Sequence, residues 1–198
     1  RVFESLRGHT LDELVEADRN SDIVRQMWRE VDELMRAASK PSRSYDANRQ
    51  RGELHAEAGR LRQQARALER NTIQCVIDSA DVICTTTTLD DDLLGDRQFD
   101  LVVIDEACQC TEPAVWQAML RAGRMVLAGD HCQLPPTVVS TEAAREGFSI
   151  SLMERLINHF GDDIYRRLIV QYRMHETIMR FSSRQFYDDE LVADVSVR

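Results

Sequence analysis

Lysine is almost absent from this chain, because Lys40 is the only lysine among its 25 positively charged residues. No GxxxxGK[ST] segment occurs, and no glycine-rich loop precedes Lys40. Such a loop wraps phosphates with backbone N–H groups and places its lysine on them. Residues 1–198 therefore contain no phosphate-binding loop of that type.

Long apolar runs are also missing, since no run approaches the roughly 20 residues that span a bilayer. No secretory or transit signature opens the chain. With 43% hydrophobic and 30% charged residues, the composition is typical of a globular protein. We expect no membrane association and a cytoplasmic location, or a nuclear one in a eukaryote. Because the chain begins with Arg1, we expect a piece of a longer protein.

The cysteines are five, an odd number, and no CxxC pair occurs among them. This disfavours a disulfide framework and a structural zinc site, including one built from Cys108, Cys110, His131 and Cys132. We expect reduced thiols that pack as small apolar groups. The net charge of −9 gives no general support for nucleic-acid binding, which must depend on local features.

Two helical segments fill the first third of the chain. The first covers Leu11–Ala38, with an expected break at Asn20–Asp22 and Ser21 as a candidate N-cap. The second covers about 48–71. Each carries one apolar stripe at steps of three and four, formed by Val24, Met27, Val31, Leu34 and Ala38 and by Leu54, Ala58, Leu61, Ala65 and Leu68. This predicts an antiparallel helical hairpin over 1–72. The arginines of the second helix either contact a phosphate backbone or form a solvated, ion-paired surface.

Four short apolar runs follow, and helical segments alternate with the last three. The runs are Ala80–Cys84, Phe99–Ile104, Met125–Ala128 and Leu168–Val170, and the helices are expected at 112–121, 149–160 and 174–185. Apolar runs without alternation are typical of parallel strands that are covered on both faces. Strand and helix alternation predicts a doubly wound α/β sheet.

Carboxylates follow the second run directly. Asp105 and Glu106 would lie beyond the carboxyl end of a buried strand, where open α/β sheets bind ligands. Asp105 could hold Mg²⁺ through oxygen, and Glu106 could orient or deprotonate the attacking water in phosphoryl transfer. The alternative is that Asp105 caps a helix.

Polar residues follow the next two runs as well. After Gly129, which permits a tight exit, Asp130 and Gln133 would face the same crevice as Asp105. After the fourth run, Arg173 could stabilise charge on a γ-phosphate and Tyr172 could stack on a base. Taken singly, these are also features of an ordinary turn and an ordinary surface.

Together, the segments DEACQ, GDHCQLPP, SLMERL and QYRMH resemble superfamily 1B helicases, the group of the nonsense-mediated-decay and immunoglobulin-mu-binding helicases. The resemblance covers most of residues 80–198. It implies a partial RecA-like, P-loop NTPase parallel sheet with an N-terminal helical-hairpin insertion at 1–72. Residues 73–164 would end the first RecA-like domain, and 165–198 would start the second.

The resemblance also implies roles and ligands. DEACQ is similar to motif II (Walker B), GDHCQLPP to motif III and QYRMH to motif IV. The cofactors would be ATP and Mg²⁺, and the partner single-stranded RNA or DNA. The implied catalytic residues are Asp105 (magnesium), Glu106 (water), Gln133 (γ-phosphate) and Arg173 (arginine finger). The implied nucleotide-binding residues are Gln109, Gly129, Asp130 and Tyr172. Thr86 and Thr88 match motif Ic, which grips the nucleic-acid backbone; the alternative is an ordinary strand and turn.

The family's phosphate-binding loop would precede Arg1, and motifs V and VI would follow Arg198. We therefore expect no measurable ATP hydrolysis from residues 1–198 alone. Two other functions stay open. One is a scaffold module with an inactive motor, whose protein partners the sequence does not indicate. The other is a metal-dependent nuclease that uses Asp105, Glu106 and Asp130. We expect His175 to cap or pack rather than bind metal.

Overall fold

A computed structural model describes residues 6, 8–39, 45–88 and 91–198. This part of the chain divides into two compact units. The first ends at Thr85 and also includes Asp91–Leu94; the second begins with Thr86 and contains Gly95–Arg198. None of the described helices has the length and hydropathy needed to cross a membrane.

The first unit is helical, with α1 (Leu11–Ala17), α2 (Asn20–Ala38), α3 (Tyr45–Asp78) and α4 (Asp91–Leu94). Thr10 caps α1 through the N–H of Glu13. The predicted break is real but lies earlier than Asn20–Asp22, and the prediction of Ser21 as N-cap was wrong. The carboxylate of Asp18 accepts the N–H of Asn20 at 2.8 Å. Since α2 begins at Asn20, Ser21 lies inside the helix.

The two apolar stripes pack against each other, as their spacing predicted. On α2, Val24, Val31 and Ala38 are buried, and on α3 Ala58 and Ala65 are buried. The small alanines allow the two helices to approach closely. Trp28 Nε1 donates to Glu69 Oε1 at 2.7 Å across the contact. On the exposed side of α3, Arg49 pairs with Glu53 at 3.2 Å, which favours the ion-paired interpretation of its arginines.

The second unit contains mixed helices and a few short parallel strands. β1 (Val102–Ile104) pairs with β2 (Met125–Leu127), and β3 (Val170–Gln171) pairs with β4 (Val192–Ala193). The helices are α5 (Glu112–Met119), α6 (Thr141–Ala143), α7 (Leu152–Phe160) and α8 (Glu176–Phe186), with a π-helical turn at Ala144–Phe148 and 3-10 turns at Ala107–Gln109, Gly161–Asp163 and Val195–Val197. Parallel pairing is therefore confirmed for three of the four predicted runs.

The first of those runs is not a strand. Residues 80–84 form no β-bridge in the described chain, and the Val82 side chain is 77% exposed. A strand needs the backbone groups of a neighbour, and no described segment supplies them here. Cys84 in this segment is exposed, and so is Cys75 on α3, so the expectation of packed thiols was wrong for these two cysteines.

β1 and β2 are also covered on one face rather than on both. Ile104 is 4% exposed, whereas Val103 is 61% exposed and its register partner Val126 is 48% exposed. The reason is that α5 and α7 supply Val115 and Leu152 to the same side of the sheet. None of the described residues covers the opposite side to a comparable degree.

Candidate active site

Two polar loops leave the same edge of the first sheet. The parallel register of β1 and β2 ends with Ile104 beside Leu127. The pairing then continues through the N–H of Ala128 to the carbonyl of Ile104 and the N–H of Ala107 to the carbonyl of Ala128, both at 2.8 Å. The DEACQ loop (Asp105–Gln109) and the GDHCQ loop (Gly129–Gln133) are therefore neighbours.

Gly129 is the point of closest approach between these loops. A Cβ at this position would lie 3.1 Å from the amide nitrogen of Ala107 and 3.2 Å from that of Cys108. Backbone amides that also start a 3-10 turn cannot withdraw easily. The sequence predicted a tight exit at Gly129, and the structure shows that the requirement comes from the loop beside it.

The DEACQ loop turns through a left-handed backbone at Glu106, with φ 52° and ψ 37°. This conformation is uncommon for a residue other than glycine. Asp105 Oδ1 accepts the N–H of Glu106 at 3.0 Å and so supports the turn. Asp105 does not cap the 3-10 turn, since Glu106 holds the N-cap position.

Asp105 and Glu106 are both exposed at this turn. Gln109 Nε2 donates to Glu106 Oε2 at 3.0 Å. The side-chain hydrogen bond of Gln109 thus stays within its own loop, and the two loops meet through their backbones at Ala107, Ala128 and Gly129. The carboxylates remain accessible to a ligand.

The GDHCQ loop is organised around the half-buried carboxylate of Asp130. Its Oδ1 accepts the N–H of Cys132 at 3.0 Å. Its Oδ2 accepts both Gln133 Nε2 at 2.7 Å and the Tyr187 hydroxyl at 2.6 Å. Burial alone would raise the pKa of Asp130, but these hydrogen bonds outweigh it and lower the pKa.

Tyr187 is a site residue that sequence reasoning missed. Burial and the bond to Asp130 raise its pKa to about 12, so it remains a hydroxyl donor at neutral pH. No periodicity or motif marks this tyrosine, because its partner lies 57 residues away in the sequence.

Donor atoms of Asp130, His131 and Cys132 lie within 4.8 Å of one another. The Asp130 carboxylate already accepts three hydrogen bonds. Burial raises the pKa of the Cys132 thiol, which disfavours the thiolate that a metal requires. Cys108 packs against Met153, with 3.4 Å between the sulfur atoms. This arrangement is suited to holding the loop rather than to binding an ion.

The QYRMH segment begins with Gln171, the last residue of β3 in the second sheet. Gln171 Oε1 accepts the N–H groups of Arg173 and Met174, both at 2.9 Å. Tyr172 is 67% exposed, and Arg173 is exposed. The guanidinium of Arg173 forms no hydrogen bond or ion pair with the DEACQ loop in the part of the chain that the structure describes. His175 Nδ1 accepts the N–H of Thr177 and caps α8, as predicted.

The two threonines of the predicted backbone grip are close together. Thr86 and Thr88 are exposed, and their hydroxyl oxygens are 3.1 Å apart. The pair is therefore exposed on one short turn, with one hydroxyl bonded to the other.

Comparison with known proteins identifies related domains and related proteins. A family model described as an AAA domain matches residues 1–141, and a second AAA-domain model matches residues 148–198. The chain is 38% identical to DNA-binding protein SMUBP-2 of Rattus norvegicus over 202 residues, covering all of this chain and 20% of the relative.

Two further relatives agree with this assignment. The chain is 34% identical to DNA polymerase alpha-associated DNA helicase A of Schizosaccharomyces pombe over 199 residues, covering all of this chain and 29% of the relative. It is 42% identical to a Regulator of nonsense transcripts 1 homolog of Arabidopsis thaliana over 132 residues, covering 66% of this chain and 10% of the relative. The chain therefore spans less than a third of the length of each of these relatives. Together, the family models and the relatives show that it belongs to the AAA-domain helicases of superfamily 1B.

Proposed function

We propose that the protein containing this chain is an ATP-dependent helicase or translocase that couples ATP hydrolysis to movement along single-stranded RNA or DNA and to strand unwinding. The observation that carries this proposal is the junction at Gly129, which joins the Asp105–Glu106 turn to the Asp130–Gln133 loop at one sheet edge. Because the chain spans about a fifth of the rat relative's length, the activity is proposed for the whole protein.

Asp105 is the residue proposed to hold Mg²⁺. One of its oxygens accepts the Glu106 N–H, and the described contacts leave the other oxygen available in an exposed carboxylate. A single carboxylate fits this ion, which usually keeps several waters and takes one or two protein oxygens beside the substrate phosphates. When bound, the ion would offset negative charge on the phosphates.

Glu106 is proposed to accept the proton of the attacking water. The amide of Gln109 holds one of its carboxylate oxygens at 3.0 Å. This contact restricts the rotamers of Glu106 and leaves its second oxygen for the water. Positioned general bases contribute about 10²–10⁴-fold to rate.

Gln133, Arg173 and Tyr172 are proposed to contact the nucleotide. Gln133 is oriented by the amide hydrogen that it donates to Asp130, and it is proposed to contact a γ-phosphate. The guanidinium of Arg173 forms no ion pair with the described residues, which suits an arginine that acts on a phosphate. The ring of Tyr172, 67% exposed, is open to stacking on adenine. Gly129 would bring the loop backbone close to the nucleotide.

Nucleic acid is proposed to bind at a local site, because a chain with a net charge of −9 does not attract phosphates through its overall charge. Thr86 and Thr88 supply hydroxyl donors of the kind that grip a backbone without reading sequence. We further propose that residues 1–72 are an antiparallel helical-hairpin insertion in a first RecA-like domain, although α3 itself continues to Asp78. In this proposal 73–164 end that domain and 165–198 begin the next, and the protein acts in the cytoplasm, or in a eukaryotic nucleus.

The nuclease alternative has less support. It needs Asp130 as a metal ligand beside Asp105 and Glu106, yet the Asp130 carboxylate is engaged by Tyr187, Gln133 and Cys132. A scaffold with an inactive motor remains the second candidate. The intact set of carboxylates, amide and guanidinium argues against it.

The test uses the full-length protein. ATP turnover is measured with and without single-stranded RNA and DNA, in the wild type, in Glu106→Gln and in Glu142→Gln as a matched control on the exposed start of α6. We expect nucleic acid to stimulate turnover, Glu106→Gln to lower it by about 10²-fold or more, and Glu142→Gln to leave it unchanged. Turnover that survives Glu106→Gln would remove Glu106 from the mechanism.

The remaining outcomes separate the alternatives. If neither nucleic acid stimulates turnover, the scaffold function is favoured. If the protein cleaves strands with a divalent metal and without ATP, the nuclease is favoured. Unwinding is then scored on a duplex with a single-stranded overhang.

A further inference from the structure

The end of α8 is docked on the GDHCQ loop. The Tyr187 hydroxyl donates to Asp130 Oδ2 at 2.6 Å, and one residue earlier the carbonyl of Phe186 accepts the thiol of Cys132 at 3.6 Å. The sulfur contact is weak, whereas a short hydrogen bond to an ionised oxygen is roughly twice as strong as a neutral one. Tyr187 is therefore the main contact of this docking.

Tyr187 and Gln133 share one acceptor. Both donate to Oδ2 of Asp130, at 2.6 and 2.7 Å. The backbone N–H of Gln133 also bonds to the Asp130 carbonyl at 3.1 Å. The orientation of the Asp130 carboxylate thus sets the position of the Gln133 amide, and the Tyr187 hydroxyl helps to set that orientation.

The hydroxyl is presented by a well-braced turn. Arg167 Nη1 lies 3.5 Å from the carbonyl of Tyr187 and pairs with Asp188 at 3.2 Å and Glu190 at 2.9 Å. Asp188 and Asp189 both have left-handed backbones, with φ of 56° and 61°. Such conformations persist when the surroundings hold them.

The other end of the same helix carries the QYRMH segment. α8 has 11 residues and is about 16 Å long at 1.5 Å per residue. The N-cap of α8 is His175, two residues after Arg173, and its C-cap is Tyr187. α8 therefore joins the segment that bears Arg173 to the residue whose hydroxyl bonds to Asp130.

We propose that Tyr187 is a positioning residue that holds Gln133 through Asp130 and so links the segment bearing Arg173 to the site at the edge of the first sheet. The inference rests on the proposed function, because it assigns regulation to that same site. Its consequence is that the Gln133 amide is placed correctly only when the end of α8 is docked.

The main experiment measures the kinetics of the full-length protein with ATP and saturating single-stranded nucleic acid. Tyr187→Phe removes only the hydroxyl, and Tyr165→Phe is the matched control, since its hydroxyl forms no hydrogen bond with the described residues. We expect Tyr187→Phe to lower kcat about tenfold with KM changed less than about twofold, the effect of an interaction made in the transition state. Unchanged kcat would overturn the proposal.

The route through Gln133 is tested by combining variants. In a Gln133→Ala background, Tyr187→Phe should lower kcat by less than about twofold, because coupled residues are not additive. A full tenfold loss in that background would overturn the proposal, since Tyr187 would then act by another route.

A readout without catalysis keeps this test apart from the proposed function. Hydrogen exchange of the peptide containing residues 129–134 should be at least about threefold faster in Tyr187→Phe and unchanged in Tyr165→Phe. If the wild type hydrolyses no ATP, the proposed function fails, and exchange decides the docking: equal rates in both variants overturn it, and faster exchange in Tyr187→Phe supports it.

Discussion

The DEACQ and GDHCQ loops leave neighbouring strands at the same sheet edge, yet they are held in opposite ways. The side-chain bonds of Asp105 and Glu106 reach only one and three residues along the chain, and both carboxylates are exposed. Asp130 is half-buried and bonds across 57 residues to Tyr187. The DEACQ loop is accessible to a ligand, whereas the GDHCQ loop is bonded to the end of α8 through Tyr187.

The largest expected effect falls on the exposed loop. Asp105→Asn should abolish most ATP turnover, with a loss of about 10²-fold or more, because the neutral amide is a poor ligand for Mg²⁺. The free energy of unfolding should change by less than about 0.5 kcal/mol, as it does for substitutions at most exposed sites. Turnover is measured against the magnesium concentration, with Asp163→Asn as control. A large loss of stability would contradict the view that this loop is free to bind.

The next effect falls on the junction between the loops. Gly129→Ala places a Cβ 3.1 Å from a backbone nitrogen and should destabilise the fold by about 1–3 kcal/mol. Gly123→Ala is the control, since a Cβ there meets nothing within 4 Å. Thermal unfolding of both variants makes the measurement. Equal melting temperatures would show that the loops are not packed together at Gly129.

A smaller effect is expected for the carboxylate of the GDHCQ loop. Asp130→Asn keeps the shape but replaces a charged acceptor with a neutral one, which should cost about 1–2 kcal/mol of stability. Denaturant unfolding measures the loss. In the Tyr187→Phe background the same change should cost clearly less, because the two residues form one bond. Equal costs in both backgrounds would indicate that the residues act independently.

The last expected effect is absent at neutral pH and appears only at alkaline pH. The folded-state pKa of Tyr187 is about 12, above the usual value near 10. Its contribution to stability is therefore complete below pH 10 and is lost as the pH rises from 10 to about 12. The free energy of unfolding, measured across this pH range, should fall more steeply for the wild type than for Tyr187→Phe. Parallel curves would mean that the phenol is not held by Asp130.

The local pattern of residues predicted much of this molecule. The seam of Val24, Val31 and Ala38 and the strand ends at Asp105 and Asp130 are where spacing and apolar runs indicated. The errors share a cause. Val82 was expected in a strand and Val103 under a covering layer, but a strand and its cover both depend on segments that are distant in the chain.

Helix stripes, strand ends and caps such as His175 depend on residues a few positions apart, and the amino-acid order specifies them through backbone periodicity and local hydrogen bonding. The choice of covered sheet face, the need for glycine at position 129 and the bond from Tyr187 to Asp130 are different. They arise from atoms brought together by folding, and no local pattern encodes a contact between segments 57 residues apart.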